Sequence, residues 1–402
     1  MAFKHYEVVM AGSPSALADK LAEKMKAGWQ PYGVPVVVTP YLLMQAVTAE
    51  GEVTDSVADG GTAAGDAISR YYVVVLAGQS NGMAYGEGLP LPDSYDAPDG
   101  RIKQLARRST VTPGGDACAY NDIIPADHCL HDVQDMSGLN HPEADLTKGQ
   151  YGCVGQGLHI AKRLLPYIPA DAGILLVPCC RGGSAFTAGD DGVFSASSGA
   201  SAESARWGTD KPLYQDLVSR TRAALDKNPQ NVLLGVVWMQ GEFDLSQTAY
   251  ADQPALFDAM VTQFRADLAD YGGQCVTGDP GTVPWICGDT TYYWKDTYAT
   301  QYETVYGNYQ NREDENIHFV PFMTDADGSY TPTNEPAEDP DLPDAGYYGA
   351  ASRTSDNWSS SLRSSHFSSW ARRGIIPDRL ATALLEQSGR TASFIAGSWP
   401  VS

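Results

Sequence analysis

Residues 71–81 read YYVVVLAGQSN. The first seven, Tyr71 to Ala77, form an almost unbroken apolar run, as expected of a strand covered on both faces. The next four, Gly78-Gln79-Ser80-Asn81, are small or polar, and the character of the chain changes there. A serine at the carboxyl end of a central parallel strand lies where open α/β sheets bind their ligands. Ala77 and Gly78 allow a sharp turn, and the N–H groups that begin the next helix point towards a reacting oxygen. Taken alone, Ser80 could equally be a helix cap.

The same rhythm continues outward from this stretch. Apolar runs recur at Ile174 to Pro178, Val232 to Trp238 and Val283 to Cys287, with a fifth strand expected around Ile317 to Val320. Helical patterns lie at 156–167, 211–226 and 254–269, and residues 374–386 would form a closing helix. Apolar strands alternating with amphipathic helices predict an α/β fold, a parallel sheet with helices on both faces. Two stretches break the rhythm: 86–150, rich in Pro, Gly, Asp and His, and 322–360, polar and acidic. Long insertions of this kind are functional rims or unstructured segments. The aromatic residues in both favour folded rims beside the site.

Residues 1–50 read as a separate small unit. Lys4 to Met10 reads as a strand, and Ser13-Pro-Ser-Ala-Leu17 opens a helix with Leu17, Leu21 and Met25 on one face. Gly28-Trp29 stops that helix, and Val34 to Thr39 suggests a second strand, giving a β-α-β module. About fifty residues are marginal for independent stability, so the unit is expected to pack against neighbours or a partner. Its "GW" after the helix and its later Tyr41 and Gln45-Ala46 resemble a small β-α-β module found in bacterial and viral proteins. Residues 51–69 contain GEVTDSVADGGTAAGDAI, which has few large side chains and reads as a linker. The main domain then spans 70–402.

Composition narrows the function classes. The chain has 402 residues, 43% hydrophobic and 19% charged, which suits a folded protein and argues against global disorder. No run approaches the length of a membrane-spanning helix. The first 25 residues lack the apolar core and cleavage site of a secretory signal. A net charge of −22, from 27 basic and 49 acidic side chains, disfavours nucleic acid and anionic membranes as partners. The seven cysteines are odd in number and show no paired CxxC pattern, so reduced thiols are expected and no metal site.

Three motifs occur in order, each after an expected strand: Gly78-Gln79-Ser80-Asn81, Cys180-Arg181-Gly182-Gly183-Ser184, and Trp238-Met239-Gln240-Gly241-Glu242-Phe243-Asp244. Together they resemble the SGNH hydrolase superfamily, and within it the carbohydrate esterases related to sialate O-acetylesterases and acetylxylan esterases. The likeness covers roughly residues 70–388. It implies a three-layer α/β/α SGNH-type (flavodoxin-like) sandwich with a parallel central sheet, joined here to a small N-terminal α+β module. It also implies a serine esterase that takes acetyl groups from a carbohydrate without a cofactor or a metal. Ser80 would be the nucleophile. The oxyanion donors would be the N–H of Ser80, the N–H of Gly183 or its neighbour Gly182, and the side-chain amide of Gln240, where commoner relatives use asparagine. Asn81 and Arg181 would contact substrate, although Arg181 could equally pair with a surface carboxylate.

Seven histidines compete for the role of base. The superfamily places its histidine in a loop before the last helix, which His366 matches. His318 sits in the apolar run IHFV and reads as a strand residue, while His128, His131 and His141 follow no strong metal spacing. The usual partner, an aspartate three residues before the histidine, is Arg363 here. The orienting acid must therefore come from elsewhere, with Glu242 first and Asp244 or Asp356 as alternatives, or the site is a Ser–His dyad aided by a backbone carbonyl.

The block GQSNGMAYGEGLPLP resembles esterase domains of bacteriophage tail spikes and fibres. That likeness implies O-acetylated capsule or O-antigen polysaccharide as substrate and a place in the virion tail. It further implies contact with other tail proteins through the N-terminal module, and a homotrimer. A bacterial carbohydrate esterase, cytoplasmic or exported, would carry the same motifs. A glycan-binding module without turnover is the rival class, favoured by Arg363 and opposed by intact Ser80, Gly183, Gln240 and His366. Tyr85, Tyr95, Tyr120, Trp285, Tyr292, Tyr293 and Trp294 could present stacking surfaces to a glycan.

Overall fold

The computed structural model describes residues 5–11, 14–39, 42–49, 68–83, 86–87, 96–107, 116–126, 153–324, 331, 333 and 365–387. The chain divides into two compact units, Met1–Gly65 and Asp66–Ser402.

In the first unit, strand His5–Ala11 leads into helix Pro14–Lys26, followed by strands Gln30–Thr39 and Leu42–Ala49. The sheet is antiparallel throughout, and the last strand lies in the middle. The β-α-β expectation thus lacked one strand. The first two strands do not pair with each other, and Leu42–Ala49 satisfies the backbone groups of both. Val9, Leu17, Trp29, Val47 and Ala49 form the core, with Leu21 packed against it. Met25, expected on the same helix face, is 56% exposed.

The second unit is built on a seven-stranded sheet. In spatial order its strands are Ile317–Val320, Trp285–Gly288, Val232–Met239, Arg70–Gly78, Ala172–Pro178, Ile102–Leu105 and Ile123–Pro125. All neighbours are parallel except the last pair, so the sheet is mixed at one edge. The five expected strands are present. The other two come from 86–150, which is therefore more than a rim. Ile102–Leu105 reads IKQL, and its polar centre hides a strand whose Gln104 is wholly buried.

Alternating side chains of strand Arg70–Gly78 feed two cores, as a period of two requires. Val73, Val75 and Ala77 share one with Leu213 and Leu217 of helix Pro212–Asp226 and Phe257 and Phe264 of helix Gln253–Asp267. Tyr72, Val74 and Leu76 share the other with Leu158 and Leu164 of helix Gly157–Leu164 and Leu380 and Leu384 of helix Ile375–Gln387. The result is an α/β/α sandwich. Burial of each such side chain contributes about 1.5–3 kcal/mol. From Ala172–Pro178 on one side of strand Arg70–Gly78, the chain crosses to Val232–Met239 on the other. That switch opens a crevice at the carboxyl ends of these strands, beside Ser80.

Asp96, from within 86–150, is buried and accepts hydrogen bonds from Arg373 Nε (3.0 Å) and Nη2 (2.6 Å) and from His159 Nε2 (2.8 Å). Burial pushes the His159 imidazole down to about 4, against the pull of the Asp96 carboxylate. Arg373 already neutralises that carboxylate, so the neutral imidazole is the form the site favours. The unfolded imidazole titrates near 6.5. Stability from this group is therefore complete above pH 6.5 and is lost as pH falls towards 4, by about 3 kcal/mol. His159→Gln keeps a donor to Asp96 and cannot take a charge. Its melting temperature should fall less steeply between pH 6.5 and 4 than that of the parent. Equal slopes would remove His159 as the source of acid lability.

Candidate active site

Strand Arg70–Gly78 ends at a glycine with φ +126°, where a Cβ would lie 2.1 Å from the carbonyl oxygen of Met239. Only glycine brings the chain this close to the neighbouring strand, and the Gln79 N–H then donates to the same oxygen at 2.7 Å. Ser80-Asn81-Gly82 follow as a single 3₁₀ turn. The Gln79 side chain is buried, and its Oε1 accepts from the N–H groups of Phe243 (3.1 Å) and Gly241 (3.4 Å). The Ser80 N–H donates to no described residue.

His366 lies just before helix Ser369–Arg373, and its Nε2 is 3.0 Å from Ser80 Oγ. Ser365 Oγ is 3.4 Å from its Nδ1. Asn81 holds the peptide groups on either side of the histidine. Its Nδ2 donates to Ser365 O at 3.1 Å, and its Oδ1 accepts the Phe367 N–H at 3.2 Å. Asn81 is wholly buried, so it braces the loop and is closed to substrate, contrary to the sequence expectation. Buried Arg372 tightens the same region by donating to Asn81 O (3.0 Å), Met83 O (2.6 Å) and Gln156 Oε1.

Glu242 does not meet the imidazole. Its Oε1 accepts from Asn81 Nδ2 at 2.8 Å and from Thr290 Oγ1 at 3.0 Å, so it reaches the histidine loop through Asn81. Burial raises its carboxyl above the usual range, while the hydrogen bonds from Asn81 and Thr290 oppose that shift. Asp244 is spent elsewhere too. It accepts from the N–H groups of Phe186 (3.0 Å) and Thr187 (2.9 Å) and from Thr187 Oγ1 (2.7 Å), bracing the chain just after Gly183. Asp356, the other candidate acid, lies outside the described residues, as do Arg363, His128, His131 and His141.

The expected oxyanion donors separate. Gly183 is exposed, with φ +64°, and its N–H is bonded to no described residue. Gln240 is wholly buried, and its amide donates to Asp244 Oδ2 and Ser184 O, so it is not free to serve an oxyanion. Arg181 is also buried. Its Nη1 donates to the carbonyls of Ser201 (2.7 Å), Ala202 (3.0 Å) and Ser204 (2.6 Å), which makes it a loop anchor, neither substrate ligand nor surface ion pair. Among the candidate stacking residues, Trp285 is core, the Tyr292 hydroxyl is tied to Met323 O, and Tyr120 bonds Asp216. Tyr293 and Trp294 are half-buried, while Tyr85 and Tyr95 lie outside the described residues.

Sequence reasoning missed Arg372, Gln156 and Thr290. Arg372 and Gln156 sit outside the three motifs and carried no usable signal; Thr290, just past the fourth expected strand, could have been sought there. No His, Cys, Asp and Glu grouping among the described residues could hold a metal. A hydroxyl within hydrogen-bond reach of an imidazole, at a strand end where the Ser80 N–H is bonded to no described residue, is equipped for nucleophilic acyl transfer.

Comparison with known proteins agrees. A family model described as carbohydrate esterase, sialic acid-specific acetylesterase, matches residues 70–272. A second, a domain of unknown function (DUF1737), matches residues 3–50. A protein of Escherichia coli (strain K12), described as a probable 9-O-acetyl-N-acetylneuraminic acid deacetylase, is 60% identical over 316 residues, covering 79% of this chain and 96% of that one. The crystal structure of NanS shares 59% identity and a TM-score of 0.71, covering 80% of this chain and 98% of that chain.

Asn81→Ala removes the hydrogen bonds to Glu242, Ser365 and Phe367, each worth about 1 kcal/mol. The variant should melt at a lower temperature and turn over an activated acetyl ester about 100-fold more slowly, because His366 is no longer held at Ser80. Glu242→Gln retains an oxygen acceptor for Asn81 and Thr290 and should lose far less. Steady-state kinetics with both variants decides the matter: an Asn81→Ala enzyme within about threefold of the parent would show that the clamp does not position His366.

Proposed function

The chain belongs to the sialic acid-specific acetylesterase family of carbohydrate esterases, and from that premise we propose that it releases acetate from O-acetylated sialic acid through an acetyl-serine intermediate. It is a carboxylic ester hydrolase of the serine type, acting on an acetylated carbohydrate. The observation that carries the mechanistic reading is the 3.0 Å contact between Ser80 Oγ and His366 Nε2 at the switch point of the sheet.

In this reading Ser80 Oγ attacks the acetyl carbonyl while His366 Nε2 takes its proton. The tetrahedral oxyanion receives the N–H groups of Ser80 and Gly183, both unengaged by described residues. The imidazolium then protonates the departing sugar oxygen as the C–O bond to the sugar breaks. Water, deprotonated by neutral His366, attacks the acetyl-serine and frees acetate and Ser80. Glu242 acts as a positioning acid through Asn81, and Asp244 holds the loop that presents Gly183. The description of the Escherichia coli relative points to the 9-O-acetyl group of N-acetylneuraminic acid as the preferred ester. Neither the described residues nor the relatives compared support the tail-spike setting or the trimer.

Acetate release from 9-O-acetyl-N-acetylneuraminic acid and from an acetylated xylan oligosaccharide tests the reading. The parent should favour the sialic acid. Ser80→Ala should lose about 10³-fold or more of that rate with an unchanged melting temperature, since only a hydroxyl is removed. Activity retained within about tenfold would move the nucleophile elsewhere. Acetate from xylan but not from sialic acid would reject the substrate and leave the esterase chemistry standing.

A further inference from the structure

Three residues separate helix Tyr292–Thr297 from strand Trp285–Gly288, and one of them, Thr290, bonds Glu242. Tyr292 anchors it: the side chain is buried and its hydroxyl bonds Met323 O and Thr331 O. The next two aromatic residues are placed differently. Tyr293 and Trp294 remain half-buried, as does Tyr298 after the helix. Their rings form one cluster, with Tyr293 edge-on to Trp294 at 5.2 Å and Tyr298 stacked on it at 5.8 Å and 23°.

The indole N–H of Trp294 donates to Ser365 O at 3.0 Å. This is the same carbonyl that takes Asn81 Nδ2, and the next residue is His366. The aromatic cluster is therefore tied to the backbone that carries the proposed base. Three partly exposed rings cost solvation that a purely structural brace would avoid, because one indole N–H suffices to hold Ser365. Aromatic faces at the rim of a polar cleft suit a ligand with one apolar face, and the C–H face of a pyranose is such a surface.

We propose that Trp294, with Tyr293 and Tyr298, forms a stacking platform for the sugar ring of the acetylated substrate, and that its indole N–H couples this platform to the placement of His366. The proposal rests on the sugar esterase reading above. Trp294 contacts the sugar with its face and positions the base with its edge.

Kinetics of the full chain on 9-O-acetyl-N-acetylneuraminic acid and on a short alkyl acetate without a ring separate the two roles. Trp294→Phe keeps a face and loses the N–H, so kcat should drop about fivefold on both esters while KM for the sugar stays within about twofold. Trp294→Leu loses both, so KM for the sugar should also rise about tenfold, with KM for the alkyl ester unchanged. Tyr298→Leu leaves the N–H in place and removes the ring stacked on Trp294; it should raise only the sugar KM, and it keeps the test open if Trp294→Leu does not fold. A sugar KM unchanged in both leucine variants overturns the platform. An unchanged kcat in Trp294→Phe overturns the coupling. If the parent cleaves a different acetylated sugar and spares sialic acid, the substrate reading fails by itself, and the same variants test the platform on that sugar.

Discussion

Asn81 is wholly buried, and a buried amide must find partners for its donors and its acceptor or lose the cost of its desolvation. It finds them in Glu242, in the carbonyl of Ser365 and in the N–H of Phe367. The last two flank His366, so the residue that follows Ser80 also fixes the backbone of the proposed base. These partners lie 284 and 286 positions away in the chain. Held this way, His366 comes within 3.0 Å of Ser80 only if the closing helix and strand Arg70–Gly78 are both in place. The active site is thus a consequence of the completed sandwich, and local unfolding at either end would separate its two principal groups.

The third motif completes this arrangement by spreading three polar side chains over two loops. Glu242 reaches back to the Ser80 turn, Asp244 to the chain after Gly183, and Gln240 joins Asp244 to Ser184. Burying two carboxyl groups is costly, and their raised proton affinity records that cost. Each is offset by several hydrogen bonds, which makes the network stiff, since losing one partner strands the others. Stiffness is useful where an oxyanion site needs donors aimed in advance.

Beneath this polar layer lies an aromatic one. Trp238 packs against Trp207 at 5.0 Å, Trp285 at 5.5 Å, Phe257 at 5.8 Å and Phe186 at 5.9 Å. The Trp207 indole N–H donates to Ser184 Oγ at 2.8 Å, which in turn donates to Arg181 O at 2.7 Å. The glycine loop is therefore moored to the core through a serine whose place in its motif gave no hint of this task. Rings also extend to the rim, where Trp294 joins the same carbonyl as Asn81.

Much of this protein was legible in the sequence because the deciding signals are local. Short unbroken apolar runs bounded by turn residues suit covered strands, the helical patterns between them set the layers, and Gly78 before Ser80 marks a turn that no larger residue could make. His366 was singled out from its place before the closing helix, and the fold brings its Nε2 to 3.0 Å from Ser80 Oγ. What escaped was decided by contacts between distant segments. Ile102–Leu105 is a strand because Ala172–Pro178 offers it an edge, although its own residues are half polar. Glu242 of the third motif read as the acid behind His366, yet the tertiary structure interposes Asn81 between them. Arg181 and Gln240 read as substrate and oxyanion ligands, and burial turned both inward. A residue type states which hydrogen bonds it can make; only the folded chain decides which partners are within reach and which groups water can no longer satisfy.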